Sequence, residues 1–177
     1  MKPFFLDDAG NVRVLRYAAL EVEARAWLGT PFVPHSQIKG AGVDCVHLAA
    51  ALYQAAGAMG NFRPPAYSMD AGNHRGSSQV LEWLDNHPSF LRVHYHVLDD
   101  IGNRGEIDMS PILLRPGDAL CFRFGRSEHH VGVLLATNRI IHAPFRRPVE
   151  IVSMTDPVYH RALKAAYRPI LNPGVSA

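Results

Sequence analysis

The chain has 177 residues, a length typical of one domain, and we expect residues 1–177 to form a single domain. It contains 18 Lys and Arg against 16 Asp and Glu, which excludes the basic excess typical of nucleic-acid-binding proteins and polybasic membrane anchors. Its two cysteines lack the spacing of a disulfide framework, and no stretch approaches the roughly 20 apolar residues of a membrane span.

Helical patterns dominate the N-terminal half. Apolar residues at steps of three and four predict an amphipathic helix over residues 12–28, namely Leu15, Ala19, Val22 and Ala26. Residues 29–43 hold several glycines and prolines without periodicity, which predicts an irregular loop. A second helix is expected to begin with Asp44 as its N-cap and Cys45 in its first turn, and a third to cover residues 77–86.

Alternation of apolar and polar residues replaces the helical period in the C-terminal half. The predicted strands cover residues 91–97, 119–124, 130–136, 139–143, 149–152 and 165–170. A turn is predicted at Thr137-Asn138, a helix over residues 157–164, and loops over residues 58–76 and 99–108. Helices followed by a run of strands predict an α+β domain, with N-terminal helices packed on a central antiparallel sheet of about five or six strands.

Cys45 is the candidate nucleophile. A helix N-terminus offers free backbone N–H groups and a partial positive charge, which we expect to lower the pKa of this thiol. Cys121 alternates with apolar neighbours on a predicted strand and is assigned to the core. Asp44 is interpreted as a helix cap and Asp118 as a turn residue that bonds its own backbone, and neither as a catalytic acid or base.

A cysteine nucleophile needs a base, and the base needs a third group that orients it. His130 begins a predicted strand and shares a face with Gly132, whose missing side chain would permit close approach beside the imidazole. A hairpin would bring His142 next to His130, so the sequence predicts a Cys45, His130 and His142 triad. His129 points to the opposite face and is taken as a rim residue, although the reverse assignment of the two histidines stays open.

Two further histidines raise the possibility of a metal site. His94 and His96 lie two apart on a predicted strand and could share an ion with His47 or His74. Because no additional Cys, Asp or Glu has ligand-like placement, we interpret them as strand histidines. We therefore expect neither a metal nor an organic cofactor.

Five segments in this order carry a family resemblance: Trp27-Leu28-Gly29-Thr30-Pro31-Phe32, Asp44-Cys45, Arg115-Pro116-Gly117-Asp118, His130-Val131-Gly132-Val133 and Ile140-Ile141-His142-Ala143. Together they resemble the NlpC family of papain-like cysteine peptidases, most closely the branch encoded with phage tails and gene transfer agents. Each segment alone is common, whereas the ordered set is specific. The similarity covers about residues 27–169.

The resemblance implies a papain-like α+β fold and hydrolysis of peptidoglycan stem peptides, commonly between D-glutamate and the following diamino acid. It assigns the three triad roles to Cys45, His130 and His142, and we expect the backbone N–H of Cys45 to serve the oxyanion. Stem peptide is the expected partner, together with phage-tail or gene-transfer-agent proteins. The N-terminal apolar run is too short for a secretory signal, so we expect a protein that is cytoplasmic as synthesised and reaches the wall by a particle or another export route.

This chain departs from the family at two positions near the thiol. His47 stands where members commonly have glycine, and Phe32 where they have a tyrosine whose hydroxyl lines the site. His35 or Gln37 would then have to supply that polar group. The residues predicted to bind substrate or the oxyanion are Phe32, His35, Gln37, Asp44, His47 and His129.

These departures support two alternatives. The first is a catalytically weak structural component of a tail-like particle that keeps the peptidase fold. The second keeps the thiol chemistry but acts as an amidase or acyltransferase on a small molecule. In either case the arginines Arg146 and Arg147 fit contact with an acidic stem peptide or a solvated loop equally well.

Overall fold

The structure is a computed structural model that describes residues 4–6, 12–14, 17–59, 64, 67, 78–93, 114–124 and 128–170. Its helices are α1 (Tyr17–Trp27), α2 (Cys45–Ala55), α3 (Gln79–Asn86) and α4 (Pro157–Ala162). Its strands are β1 (Phe4–Leu6), β2 (Val12–Val14), β3 (Gln37–Ile38), β4 (Gly42–Val43), β5 (Phe90–Val93), β6 (Ala119–Arg123), β7 (Glu128–Leu135), β8 (Arg139–His142), β9 (Glu150–Ser153) and β10 (Leu163–Pro169).

A six-stranded antiparallel sheet forms the centre of the described part, in the order β5-β10-β6-β7-β8-β9. Buried residues of α1, α2 and α3 pack on one face of this sheet, and Ala162 of α4 joins the cluster on the other face. The predicted α+β architecture with five or six strands is therefore confirmed. Burial of apolar surface in these two layers is the main force that holds the helices on the sheet.

Helix α1 begins later than the sequence pattern predicts and buries a different stripe. Residues Val12–Val14 form a strand paired with β1, and the helix starts at Tyr17. Its buried residues are Leu20, Ala24 and Trp27, whereas Val22 of the predicted stripe is 70% exposed. Burying the large Trp27 and Leu20 side chains removes more apolar area from water than burying alanines and a valine, so the face that carries Trp27 and Leu20 packs on the core.

Helix α2 is buried on most of its surface, and this fixes the position of its N-terminus. Leu48, Ala49, Leu52 and Tyr53 form the core face, as the sequence pattern predicts. The small alanines of this helix permit a close approach to β7, with which α2 is in contact. The first turn of α2 is thereby held against the sheet.

The segment before α2 is more regular than predicted. Strands β3 and β4 pair as a short hairpin within the expected irregular loop, and Phe32 forms an isolated bridge with Val43. Asp44 follows directly after β4, and its side chain caps α2 by accepting a hydrogen bond from the backbone N–H of His47. The predicted N-cap role of Asp44 is confirmed, and the cap joins the hairpin to the helix.

Strands β7 and β8 form a hairpin around the predicted turn at Thr137-Asn138. Both turn residues adopt left-handed φ angles, 58° and 55°, and the register places Gly132 opposite His142. A Cβ atom at Gly132 would lie 2.7 Å from Ile140 Cγ2 and 3.3 Å from His142 Cβ. The missing side chain of Gly132 therefore makes room for Ile140 and His142 of the neighbouring strand β8. The close approach that the sequence predicts beside this glycine is thus made by side chains of the chain itself.

Candidate active site

Cys45 is the first residue of α2 and is only 7% exposed. The free N–H groups of this helix end favour a thiolate, as do hydrogen bonds to the sulfur from the backbone of Val131 and Val46. Burial outweighs them and, with a smaller effect from the charge of Asp44, raises the pKa of Cys45 to about 12. The expected lowering of this pKa is thus wrong for the protein without substrate, because the thiol lacks water around it.

The backbone contact from Val131 shows where Cys45 lies relative to the sheet. Val131 follows His130 in β7, so the sulfur sits beside the end of the strand that carries this histidine. The facing strand β8 ends at His142, opposite Gly132. The three residues predicted as a triad therefore lie at the same end of the β7–β8 pair.

The two imidazoles contact each other directly. His130 Nε2 lies 2.8 Å from His142 Nδ1, and the ring planes are inclined by 78°. Both rings are buried, with 8% and 2% exposure. A hydrogen bond between them fixes the orientation of the His130 ring, and His130 makes this contact through Nε2 and not through Nδ1.

The far side of His142 has polar neighbours as well. Its Nε2 lies 3.3 Å from Tyr159 Oη and 3.4 Å from Glu150 Oε1. Burial, aided by the positive charge of Arg147, lowers the pKa of His142 to about 4. His142 is therefore a neutral ring near neutral pH, which suits a group that orients a base.

Asp44 is the centre of a second polar cluster. Its carboxylate accepts hydrogen bonds from the backbone N–H of His35 at 2.6 Å and of His47 at 2.8 Å. The His47 ring adds Nδ1, which lies 2.8 and 2.9 Å from the two carboxylate oxygens. Burial alone would raise the pKa of Asp44, but the hydrogen bonds from the ring and backbone of His47 outweigh it and lower that pKa.

Tyr67 is a site residue that the sequence analysis missed. Its hydroxyl is buried beside the Asp44 carboxylate, whose pKa it helps to lower, without forming a well-aligned hydrogen bond, and its ring lies 4.6 Å from that of His35. Burial raises the pKa of Tyr67, and the nearby Cys45 and Asp44 raise it further. Because it falls in a stretch without periodicity, only its type, a hydroxyl-bearing aromatic, could have singled it out.

The other residues predicted to bind substrate, Phe32, Gln37 and His129, lie in different surroundings. Phe32 packs edge-on against Phe145 with ring centroids 5.4 Å apart, and it brings no hydroxyl. Gln37 donates to Gln54 of α2 at 3.2 Å. His129 lies in β7, but its side chain is outside the described part.

The predicted structural roles of Cys121 and Asp118 are confirmed. Cys121 is fully buried in the core. Asp118 accepts a hydrogen bond from the backbone N–H of Arg115 and is paired with Arg168, with two contacts of 2.9 Å. This partly buried ion pair joins the turn before β6 to β10.

Residues His74, His94 and His96 of the considered metal site lie outside the described residues. Among those described, no three His, Cys, Asp or Glu side chains are grouped so that they could hold a metal ion. No helix within the described ranges has the length and apolar character needed to cross a membrane.

Comparison with known families gives a match over most of the chain. The model of the NlpC/P60 family matches residues 29–168. This range includes Cys45, His130 and His142. A search of curated proteins found no match.

Solved structures share the fold at low sequence identity. An NlpC/P60 family protein from Bacillus cereus has a TM-score of 0.54 at 21% identity, with 88% of this chain and 40% of that chain covered. A lipoprotein-like NLP/P60 protein from Staphylococcus aureus has a TM-score of 0.54 at 20% identity, covering 96% and 44%. NlpC2 from Trichomonas vaginalis has a TM-score of 0.50 at 14% identity, covering 92% and 56%. The chain thus spans less than two thirds of the length of each.

Proposed function

The chain belongs to the NlpC/P60 family, and from this we propose that it hydrolyses amide bonds of peptidoglycan stem peptides by cysteine catalysis. Cys45 is the nucleophile, His130 the base, and His142 the group that orients His130. The observation that carries this proposal is the 2.8 Å contact between His130 Nε2 and His142 Nδ1 at the strand end next to the thiol. A thiol, a base and a group that orients the base are the parts that such a mechanism requires.

The raised pKa of Cys45 specifies how the first step proceeds. The resting thiol is neutral, so His130 Nδ1 takes its proton as the sulfur attacks the substrate carbonyl. The backbone N–H of Cys45 at the helix end, aided by the Tyr67 hydroxyl, donates to the oxyanion. Collapse of the tetrahedral intermediate breaks the C–N bond, and the leaving amine takes the proton from His130.

A thioester on Cys45 then remains. Water attacks its carbonyl carbon while His130 accepts the water proton, and the sulfur leaves and is reprotonated by His130. The products are a free carboxylic acid and the amine released before. Throughout, neutral His142 keeps the base in position without changing its own proton count.

The finer specificity follows from the family resemblance. We place the cleaved bond between D-glutamate and the diamino acid that follows, and we propose phage-tail or gene-transfer-agent proteins as the partners that deliver the enzyme to the wall. The buried Asp44 carboxylate beside the thiol contributes a fixed negative charge to the subsite. Its contacts with His47 and His35 leave it less free to bind a cationic substrate group.

The test is turnover of purified peptidoglycan, followed by mass spectrometry of the released peptides. Cys45→Ala and His130→Ala are expected to abolish release, whereas Cys121→Ala, which removes the other thiol, retains it. Circular dichroism must show a folded protein in each case. Full activity in the Cys45 or His130 variant would refute the mechanism.

A catalytically weak structural component is the second candidate. Two observations favour it: Phe32 offers no hydroxyl to the site, and the thiol is deeply buried. No turnover of any stem-peptide variant, together with retained binding to peptidoglycan, would establish this role. Cleavage from a panel of small amides, without cleavage of peptidoglycan, would instead establish a small-molecule amidase or acyltransferase.

A further inference from the structure

Glu150 has an unusual environment behind the imidazole pair. The register of β8 and β9 places it directly opposite His142. One carboxylate oxygen, Oε2, accepts from Arg147 Nη2 at 2.7 Å. The other, Oε1, is buried, forms no hydrogen bond of its own and faces His142 Nε2 at 3.4 Å. A buried carboxylate oxygen without a donor is costly, so its orientation requires an explanation.

The positions of the ring protons in the imidazole pair explain why Glu150 Oε1 faces His142. For His130 Nδ1 to accept the thiol proton, the ring proton of neutral His130 must be on Nε2. That N–H then donates to His142 Nδ1, which must be unprotonated. The proton of His142 is consequently on Nε2 and requires an acceptor on the far side of the ring.

Two groups face that nitrogen, and they differ in chemistry. Tyr159 Oη lies at 3.3 Å, but a hydroxyl can donate as well as accept and so permits either tautomer of His142. An ionised carboxylate only accepts, and it therefore favours the Nε2–H tautomer alone. Arg147 holds Glu150 in this position through its second oxygen.

We propose that Glu150 is a positioning residue of this site, which fixes the tautomer of His142 and through it keeps His130 Nδ1 unprotonated, so that this nitrogen can act as the base. The inference rests on the proposed cysteine mechanism and extends the three-residue arrangement to a fourth side chain on β9. The carboxylate also places negative charge behind the pair when His130 becomes an imidazolium. No proton moves onto Glu150 or His142 in this scheme.

The decisive variant is Glu150→Gln, which keeps the shape of the side chain. Arg147 continues to donate to the amide oxygen, so the amide NH₂ turns towards His142 Nε2 and favours the wrong tautomer. We expect kcat to fall by about 10- to 100-fold, the range typical of losing the partner that orients a metal-bound histidine, with KM nearly unchanged. Glu21→Gln, a change at another partly buried carboxylate that pairs with an arginine, is the matched control and should retain kcat.

The tautomer itself can be read without turnover. Long-range ¹H–¹⁵N NMR of the folded protein is expected to show the His142 proton on Nε2 in the parent and on Nδ1 in Glu150→Gln. The double variant Arg147→Met/Glu150→Gln frees the amide to rotate and should recover part of kcat. A parent with no turnover would refute the proposed function alone, and the NMR result would still decide the role of Glu150. If Glu150→Gln leaves the His142 tautomer unchanged, or keeps kcat within about twofold of the parent, the positioning role of Glu150 is refuted.

Discussion

Acidification is expected to destabilise this fold through a single buried ring, His142. Its pKa in the folded protein is lowered from the ordinary 6.5 to about 4, mainly by burial. The stabilising contribution of the neutral ring is therefore fully present above the unfolded-state pKa. It is lost as pH falls from 6.5 towards 4, because only the unfolded chain takes up the proton in that window.

The size of the effect follows from the two pKa values. Proton linkage between about pH 7.5 and about pH 5 lowers the free energy of unfolding by about 2 kcal/mol for this one group. His142 is only 2% exposed, so solvent screening does not reduce this figure substantially. The charged and titratable groups that face the ring are His130, Glu150, Arg147 and Tyr159.

Urea unfolding followed by circular dichroism, at both pH values, measures the effect. The parent is compared with His142→Gln, whose amide oxygen can still accept from His130 but does not titrate. The variant is less stable at both pH values, but its loss between them is expected to be smaller by about 2 kcal/mol. His160→Gln, at a partly exposed histidine in α4, serves as the control and should retain the pH-dependent loss that His142 causes.

The outcome that would contradict this reasoning is an equal loss of stability in the parent and in His142→Gln. An NMR titration of the His142 ring gives an independent check. A midpoint near 6.5 in the folded protein would show that burial does not hold this ring neutral.

Three further expectations concern the Cys45 thiol, the Tyr67 hydroxyl and the β7–β8 hairpin. Iodoacetamide should label Cys45 before the fully buried Cys121, and mass spectrometry measures both rates. Because the pKa of Cys45 is about 12, its labelling rate should rise with pH, and a rate independent of pH would contradict that pKa. Tyr67→Phe should lower kcat about tenfold or more by removing an oxyanion donor, and undiminished turnover would exclude that role. Gly132→Ala should lower the free energy of unfolding in urea by about 1–3 kcal/mol because of the clash with Ile140. An unchanged midpoint would show that β8 moves to accommodate the methyl group.

The backbone of the site could be predicted from sequence because its signals are local. Asp44 before an apolar helical run predicts the cap, and alternation around Gly132 with a turn at Thr137-Asn138 predicts the hairpin that joins His130 to His142. Each of these features depends on residues close together in the chain. The structure accordingly agrees with them to within one or two residues at the strand ends.

What could not be predicted depends on packing between distant segments. The buried stripe of α1 follows from where Trp27 finds space, and the raised pKa of Cys45 follows from how fully the surrounding elements exclude water. Tyr67 and Glu150 come from separate segments whose sequence around them carries no motif. Their importance is visible only when the unsatisfied oxygen of each is placed beside the thiol or the imidazole pair.

The β7–β8 turn also constrains how this gene can change length. Leu135 pairs with Arg139, so three residues, 136–138, separate the strands. Inserting or deleting one codon there would shift β8 by one position, and alternation would then turn His142 to the opposite face of the sheet. Homologous chains are therefore expected to tolerate substitutions in this turn far more readily than changes in its length, although it lies at the end of the hairpin away from the histidines.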